Sequence, residues 1–160
     1  MSAALAYWSA RVMSRGGLSM AKRLAVLDVE RCVGCQVCMF ACTRRQNIAG
    51  LSKSCIHVRS LGGMERGFAV ITCRACPDPP CARACPRGAL RVRPDGGVLL
   101  DQSTCDGCGA CRKACIIGAV FWDQAANRPN ICIHCGYCAR HCPHGVLELA
   151  KGKEAADAGQ

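Results

Sequence analysis

Large aromatic side chains are scarce in this chain: three Phe, two Tyr and two Trp in 160 residues. So little apolar bulk cannot fill the core of a large aromatic-cored enzyme domain, and a small chain with a thin core needs covalent or metal staples. Long apolar runs are also missing. No stretch approaches the roughly 18 residues of a membrane-spanning helix, which argues against a membrane span. The first residues, MSAALAYWSARVMSRGGLSMAKRLAV, carry neither an unbroken apolar segment, because Arg11 and Arg15 interrupt it, nor a paired-Arg export motif. No glycine-rich dinucleotide fingerprint and no P-loop occur. Acidic residues are outnumbered, 11 against 21 Lys and Arg.

Cysteine is what the chain has in excess, with 17. An odd count without a signal peptide does not suit a secreted disulfide scaffold. A reducing, cytoplasmic compartment is the expectation, and there cysteine clusters mean metal. Sixteen of the seventeen fall into four groups of four. Cys32, Cys35, Cys38 and Cys42 are spaced C-x2-C-x2-C-x3-C. Cys73, Cys76, Cys81 and Cys85 are spaced C-x2-C-x4-C-x3-C, with Pro86 following. Cys105, Cys108, Cys111 and Cys115 repeat the first spacing, as do Cys132, Cys135, Cys138 and Cys142, with Pro143 following. Only Cys55 is left over.

The spacing has a mechanical meaning. Three cysteines at three-residue intervals let one loop curl around a cubane cluster, each thiolate reaching a different iron. The fourth, at the start of a helical turn, points away and ligates the neighbouring cluster, as in two-cluster ferredoxins. Paired motifs exchange their fourth cysteines, so four motifs predict four 4Fe–4S clusters. Structural zinc prefers two C-x2-C pairs separated by a longer loop, which is not the pattern here. Spacing alone allows the first motif to pair with the second and the third with the fourth, or a nested arrangement.

The predicted fold class is α+β. Short strands and hairpins alternate with short helices in tandem bacterial-type two-cluster ferredoxin folds around the clusters. Strands are expected at Leu24–Glu30, Ile56–Arg59, Phe68–Thr72 and Val146–Leu149. Hairpins are expected from Ala89–Arg93 to Val98–Asp101, across Pro-Asp-Gly-Gly, and from Ala119–Trp122 to the residues before Cys132. The segments CARAC, CRKAC and CARHC read as first turns of helices. CPRGALRV, CIIGAVFW and CPHGVLEL repeat one unit of cysteine, turn and strand. The first motif departs from it with Thr43-Arg44-Arg45, and the third has Ile116 in place of proline. The domain is expected over 23–150, between a flexible arm at 1–22 and a polar tail at 151–160, with Met20 a natural alternative start.

At this point the chain resembles the four-cluster ferredoxin subunits of molybdenum and tungsten oxidoreductases, over about residues 24–149. The motif order carries the resemblance, together with the longer second motif bearing Pro77, Pro79 and Pro80. The resemblance implies clusters in a row and nested pairing. Cluster 1 then takes Cys32, Cys35, Cys38 and Cys142, and cluster 2 takes Cys73, Cys76, Cys81 and Cys115. Cluster 3 takes Cys105, Cys108, Cys111 and Cys85, and cluster 4 takes Cys132, Cys135, Cys138 and Cys42. CRACPDPPCARACP, CIIGAVFWD and HCGYCARHCPHGVL are most similar to the small iron–sulfur subunit that accompanies tungsten-containing aldehyde oxidoreductase. That implies a non-catalytic electron relay between a tungsten- or molybdenum-pterin subunit and a second partner, either a flavin subunit or a soluble carrier. The small size adds an expectation that copies stack end to end. The equivalent subunit of a hydrogenase, a formate dehydrogenase or another molybdenum enzyme is the alternative.

Two readings of other classes compete: a scaffold whose clusters only hold the fold, and a cluster-based sensor on nucleic acid, prompted by the net charge of +10. Sixteen thiolates and four oxidised cores of roughly +2 each would bring that charge to about +2, so no nucleic-acid partner is expected. Arg31, Arg74, Arg87, Arg112, Lys113 and Arg140 flank ligand cysteines and are expected to raise cluster potentials. Gly34, Gly107, Gly109 and Gly136 sit inside the cluster loops. Cys55 reads as a buried inert thiol. His57, His134, His141 and His144 are not needed as ligands, and Trp122 and Tyr137 read as packing.

Overall fold

The computed structural model describes residues 22–62 and 67–151. Most of the expected arm and tail, at 1–21 and 152–160, lies outside the described residues. The chain runs β1 (Lys22–Val26), a 3-10 turn (Val29–Arg31), α1 (Val37–Arg45), β2 (Ile56–Ser60), β3 (Phe68–Thr72), α2 (Pro80–Arg83), β4 (Leu90–Val92), β5 (Val98–Leu100), α3 (Ala110–Ala114), β6 (Phe121–Asp123), β7 (Arg128–Asn130), α4 (Tyr137–Arg140) and β8 (Leu147–Lys151). Every ladder among the described residues is two-stranded and antiparallel. A two-stranded ladder is marginal alone in water, so these strands depend on what they pack against.

The hairpins fall where turn residues permit them, at Arg93–Gly97 and across Gln124–Asn127. The expected strand at Leu24–Glu30 ends earlier, at Val26, because the Asp28 carboxylate accepts the Glu30 N–H at 3.0 Å and opens the 3-10 turn. Strands β1 and β8 extend to Lys22 and Lys151, one residue past each expected domain boundary.

The two halves of the fold are nested. β1 pairs with β8, Leu24 opposite Leu149, and α1 packs on α4, so the first and fourth motifs form an outer unit. α2 packs on α3, so the second and third motifs form an inner unit inserted into it. Each has its own small core. Leu24, Met39, Ile56, Val58, Val146 and Leu147 fill the outer one, and Leu90, Val98, Val120 and Ile131 the inner one. Cys73 touches both.

The segment after α1 joins the units. The Thr43 hydroxyl donates to the Gly50 carbonyl at 2.8 Å and holds the loop beneath the helix end. Lys53 then reaches Asp123 on β6, and the His57 ring stacks on Phe121 with centroids 3.8 Å apart and planes 8° from parallel.

Candidate metal centres

Each quartet is built from a loop, the first turn of a helix and a sulfur from elsewhere. The loops reach their helices through left-handed residues, Gly109 before α3 and Gly136 before α4, with φ of 74° and 72°. In the first motif Gln36 takes that conformation with φ 59°. The third cysteine of each motif, Cys38, Cys81, Cys111 and Cys138, is buried on the helix that follows, while Cys35, Cys108 and Cys135 are exposed at the loop tips.

Proximity groups the sulfurs across motifs. One small cavity is lined by Cys32, Cys35, Cys38 and Cys142 together, with Val33 and His144 at its wall. A wider one of about 400 Å³ is lined by Cys132, Cys135, Cys138 and Cys42, together with Arg45, Gln46 and Cys55. Cys73 has Cys81, Cys76 and Cys115 as electrostatic neighbours, and Cys111 has Cys85, Cys105 and Cys108. Sulfurs of adjacent quartets also lie within electrostatic reach of one another. Cys38 neighbours Cys138, Cys132 neighbours Cys73, and Cys81 neighbours Cys111. The quartets therefore follow one another in the order first, fourth, second, third, with each numbered by the motif that supplies three of its cysteines.

Burial pushes the Cys38 and Cys132 thiols up to about 11 and the Cys138 thiol up to about 12, and raises Cys73, Cys81 and Cys111 as well. Such thiols stay protonated at neutral pH until a cation compensates the thiolate, which is the coupling between deprotonation and metal binding. A single zinc ion would draw its sulfurs to about 3.8 Å from one another, the edge of a tetrahedron with bonds of about 2.3 Å. Among the described residues no three His, Cys, Asp or Glu side chains are arranged to hold one ion. Quartets wrapped around a larger inorganic core fit the donor set instead.

The sulfurs are also prepared for the negative charge of a thiolate-ligated cluster. The Sγ atoms of Cys85, Cys115 and Cys142 accept the N–H of the residue four positions on, Ala89 at 3.3 Å, Ala119 at 3.3 Å and Val146 at 3.4 Å. The glycine just before each donor, Gly88, Gly118 and Gly145, has φ between 60° and 66°, and that turn aims the amide back at the sulfur. The exposed Ile116 sits in this turn without disturbing it. Cys42 lacks the turn, because α1 runs on through Thr43-Arg44-Arg45. Its sulfur takes the Cys55 N–H instead, at 3.3 Å, and the Gln46 side-chain amide at 3.8 Å.

A family described as a 4Fe-4S dicluster domain matches residues 64–152, more than half of the chain. The protein is a member of this family. Its cofactors are 4Fe–4S clusters, four by the count of quartets. The match covers the second, third and fourth motifs. The protein is similar to the B subunit of the tetrathionate reductase of Archaeoglobus fulgidus, 34% identical over 113 residues, 70% of this chain and 54% of that protein. It is similar to the B subunit of the anaerobic dimethyl sulfoxide reductase of Escherichia coli, 29% identical over 144 residues, 77% of this chain and 70% of that one. The beta subunit of the NADH-dependent phenylglyoxylate dehydrogenase of Aromatoleum evansii is 32% identical over 127 residues, 76% of this chain and 28% of its own length. The chain thus spans about half of the tetrathionate reductase subunit and a smaller part of the dehydrogenase subunit.

The other expected groups have specific places. The Cys55 side chain lies half-buried against Cys42 and stays a protonated thiol. Its hydrogen bond holds Cys42 down to about 6, while Cys55 itself is raised by the same contact and by burial. His134 is buried, and its Nδ1 accepts the Leu24 N–H at 3.0 Å, which ties the fourth loop to β1. His141 Nδ1 lies 2.8 Å from the Tyr137 carbonyl. Of the flanking cations, Arg87 is engaged by Asp106 at 3.1 Å and Arg140 lies 5.2 Å over the Tyr137 ring. Those two therefore have partners other than a cluster. Arg74 borders the groove beside Cys73. Cys55 and Gln46 had no signal in the spacing, because their partner is fixed only by the loop that folds back beneath α1.

Proposed function

We propose that this protein is the electron-transfer subunit of an oxidoreductase complex. It relays single electrons through four 4Fe–4S clusters and is not the catalytic subunit. The observation that carries the reading is the succession of neighbouring sulfurs from the first quartet to the fourth, second and third. The proposed ligands are Cys32, Cys35, Cys38 and Cys142 for cluster 1, and Cys73, Cys76, Cys81 and Cys115 for cluster 2. Cluster 3 takes Cys105, Cys108, Cys111 and Cys85, and cluster 4 takes Cys132, Cys135, Cys138 and Cys42. When bound, the clusters supply reversible one-electron chemistry. The chain spaces them, shields them and hydrogen-bonds their sulfurs. A scaffold role would need no such continuous path. In this arrangement two ferredoxin-type units are interleaved.

The catalytic partner is a molybdenum- or tungsten-pterin subunit. The names of the relatives, reductases of tetrathionate and dimethyl sulfoxide, favour the molybdenum side. The motif resemblance to the aldehyde oxidoreductase subunit favours tungsten. A flavin subunit, a soluble carrier or a further copy of the chain would take the other end of the row. Anaerobic affinity purification of the chain from its own cells, with metal analysis of the co-purified large subunit, tests the reading. Tungsten or molybdenum in stoichiometric amount decides between the two. A holoprotein whose clusters are not reversibly reduced, or that retains DNA in a salt-sensitive manner, would overturn the relay.

A further inference from the structure

Three of the fourth cysteines share one environment, and Cys42 does not. Cys85, Cys115 and Cys142 each accept one main-chain N–H from their own turn. Cys42 accepts the main-chain N–H of Cys55, thirteen residues on, and the side-chain amide of Gln46. Gln46 is held for this role. Its Nε2 donates one proton to the Lys53 carbonyl at 3.2 Å and shares the other between the Cys42 carbonyl at 3.2 Å and the Cys42 sulfur, which holds the amide at the sulfur. The same quartet takes a third N–H, from His134 to Cys132 at 3.4 Å. Among the described residues no other quartet sulfur receives a hydrogen bond from a side-chain amide. Arg45 lines the same cavity.

Hydrogen bonds to cluster sulfurs favour the reduced, more negative core and raise its potential. We infer that Gln46, with the Cys55 amide, acts as a positioning and tuning pair that makes cluster 4 the highest-potential cluster of the row. The electron then has a resting place second in the row, between cluster 1 and cluster 2. The inference rests on the ligand set proposed above. It goes beyond that set in assigning a role to two residues that bind no iron.

The test is an anaerobic redox titration of the full chain followed by EPR, with iron counted in each sample. Gln46→Leu removes the amide donor, and the highest of the four midpoints falls. The reduced-to-oxidised ratio of that cluster at fixed poise drops by about threefold, in line with the loss of one modest hydrogen bond, while the other three midpoints stay. Gln46→Lys keeps a donor and adds a positive charge, and the same midpoint rises. A merely structural role for Gln46 would move both variants in one direction, or all four clusters together. Either result overturns the inference, as does a highest midpoint that stays fixed in both variants. Cys55→Ala keeps the main-chain donor and must retain sixteen irons per chain. Loss of about four irons there would instead make Cys55 the ligand, and the failure would lie with the ligand set.

Discussion

The Lys53 ammonium lies 2.9 Å from the Asp123 carboxylate and bridges the loop after the first motif to the inner hairpin. Asp123 also closes that hairpin, since its Oδ1 accepts the N–H groups of Ala125 at 3.0 Å and Ala126 at 3.2 Å. Lys53, hydrogen-bonding to the carboxylate, and these amides hold Asp123 below the usual carboxylate range. A depressed folded-state value means the contribution is present above the unfolded value and lost as pH falls through the folded one. Asp123→Asn should therefore lower the melting temperature of the holoprotein at pH 7. In acid, below the folded value, the gap to the wild type should close. Thermal denaturation across pH checks this, and a gap independent of pH would contradict it.

Nested and consecutive pairing differ in an iron count. In the nested arrangement Cys35 and Cys142 serve one cluster, so Cys35→Ala with Cys142→Ala should lose about four irons per chain. Cys35→Ala with Cys85→Ala strikes two clusters and should lose about eight. Consecutive pairing of the first motif with the second would exchange the two outcomes, since Cys35 and Cys85 would then share a cluster. Iron and acid-labile sulfide analysis of anaerobically purified variants decides it.

Gly96 has φ 83°, and a Cβ built there would stand 2.3 Å from the Ala75 carbonyl oxygen. Backbone cannot retreat as a side chain can. Gly96→Ala should cost about 2–4 kcal/mol, combining left-handed strain with overpacking. Gly88, with φ 62° and open space around it, should cost about 1–2 kcal/mol on the same change. Denaturant unfolding of the two variants measures the difference.

Ile116 is 93% exposed in the turn after Cys115, where the second and fourth motifs carry Pro86 and Pro143. Cys115 is extended, with φ −78° and ψ 107°, a conformation that a following proline accepts. Ile116→Pro should raise stability by about 0.4–1 kcal/mol through the unfolded state and leave the iron content unchanged. A loss of iron would show that the third turn differs from its two relatives.

The sequence made the local parts readable. The cysteine intervals, the Pro-Asp-Gly-Gly turn and the Cys-x-x-Gly turns act over a few residues, so the loops, hairpins and first helical turns appear at the expected positions. Contacts between distant segments were not readable in this way. The stacking of His57 on Phe121, the His134 ring under Leu24 and the Gln46 amide at Cys42 join residues whose meeting depends on the whole fold. The length of α1 was half readable. Thr43-Arg44-Arg45 signalled that the usual turn was missing, but not that the helix would continue to Arg45 and that a returning loop would supply the amide.

Among the described residues, strand β1 finds its partner in β8, more than a hundred positions later in the sequence. During synthesis, the inner pair of motifs leaves the ribosome complete while the first motif still waits for the last. Cluster insertion on a growing chain would therefore fill the inner pair before the outer one. A message truncated shortly before Leu147 would leave an assembled heart with an unclosed shell.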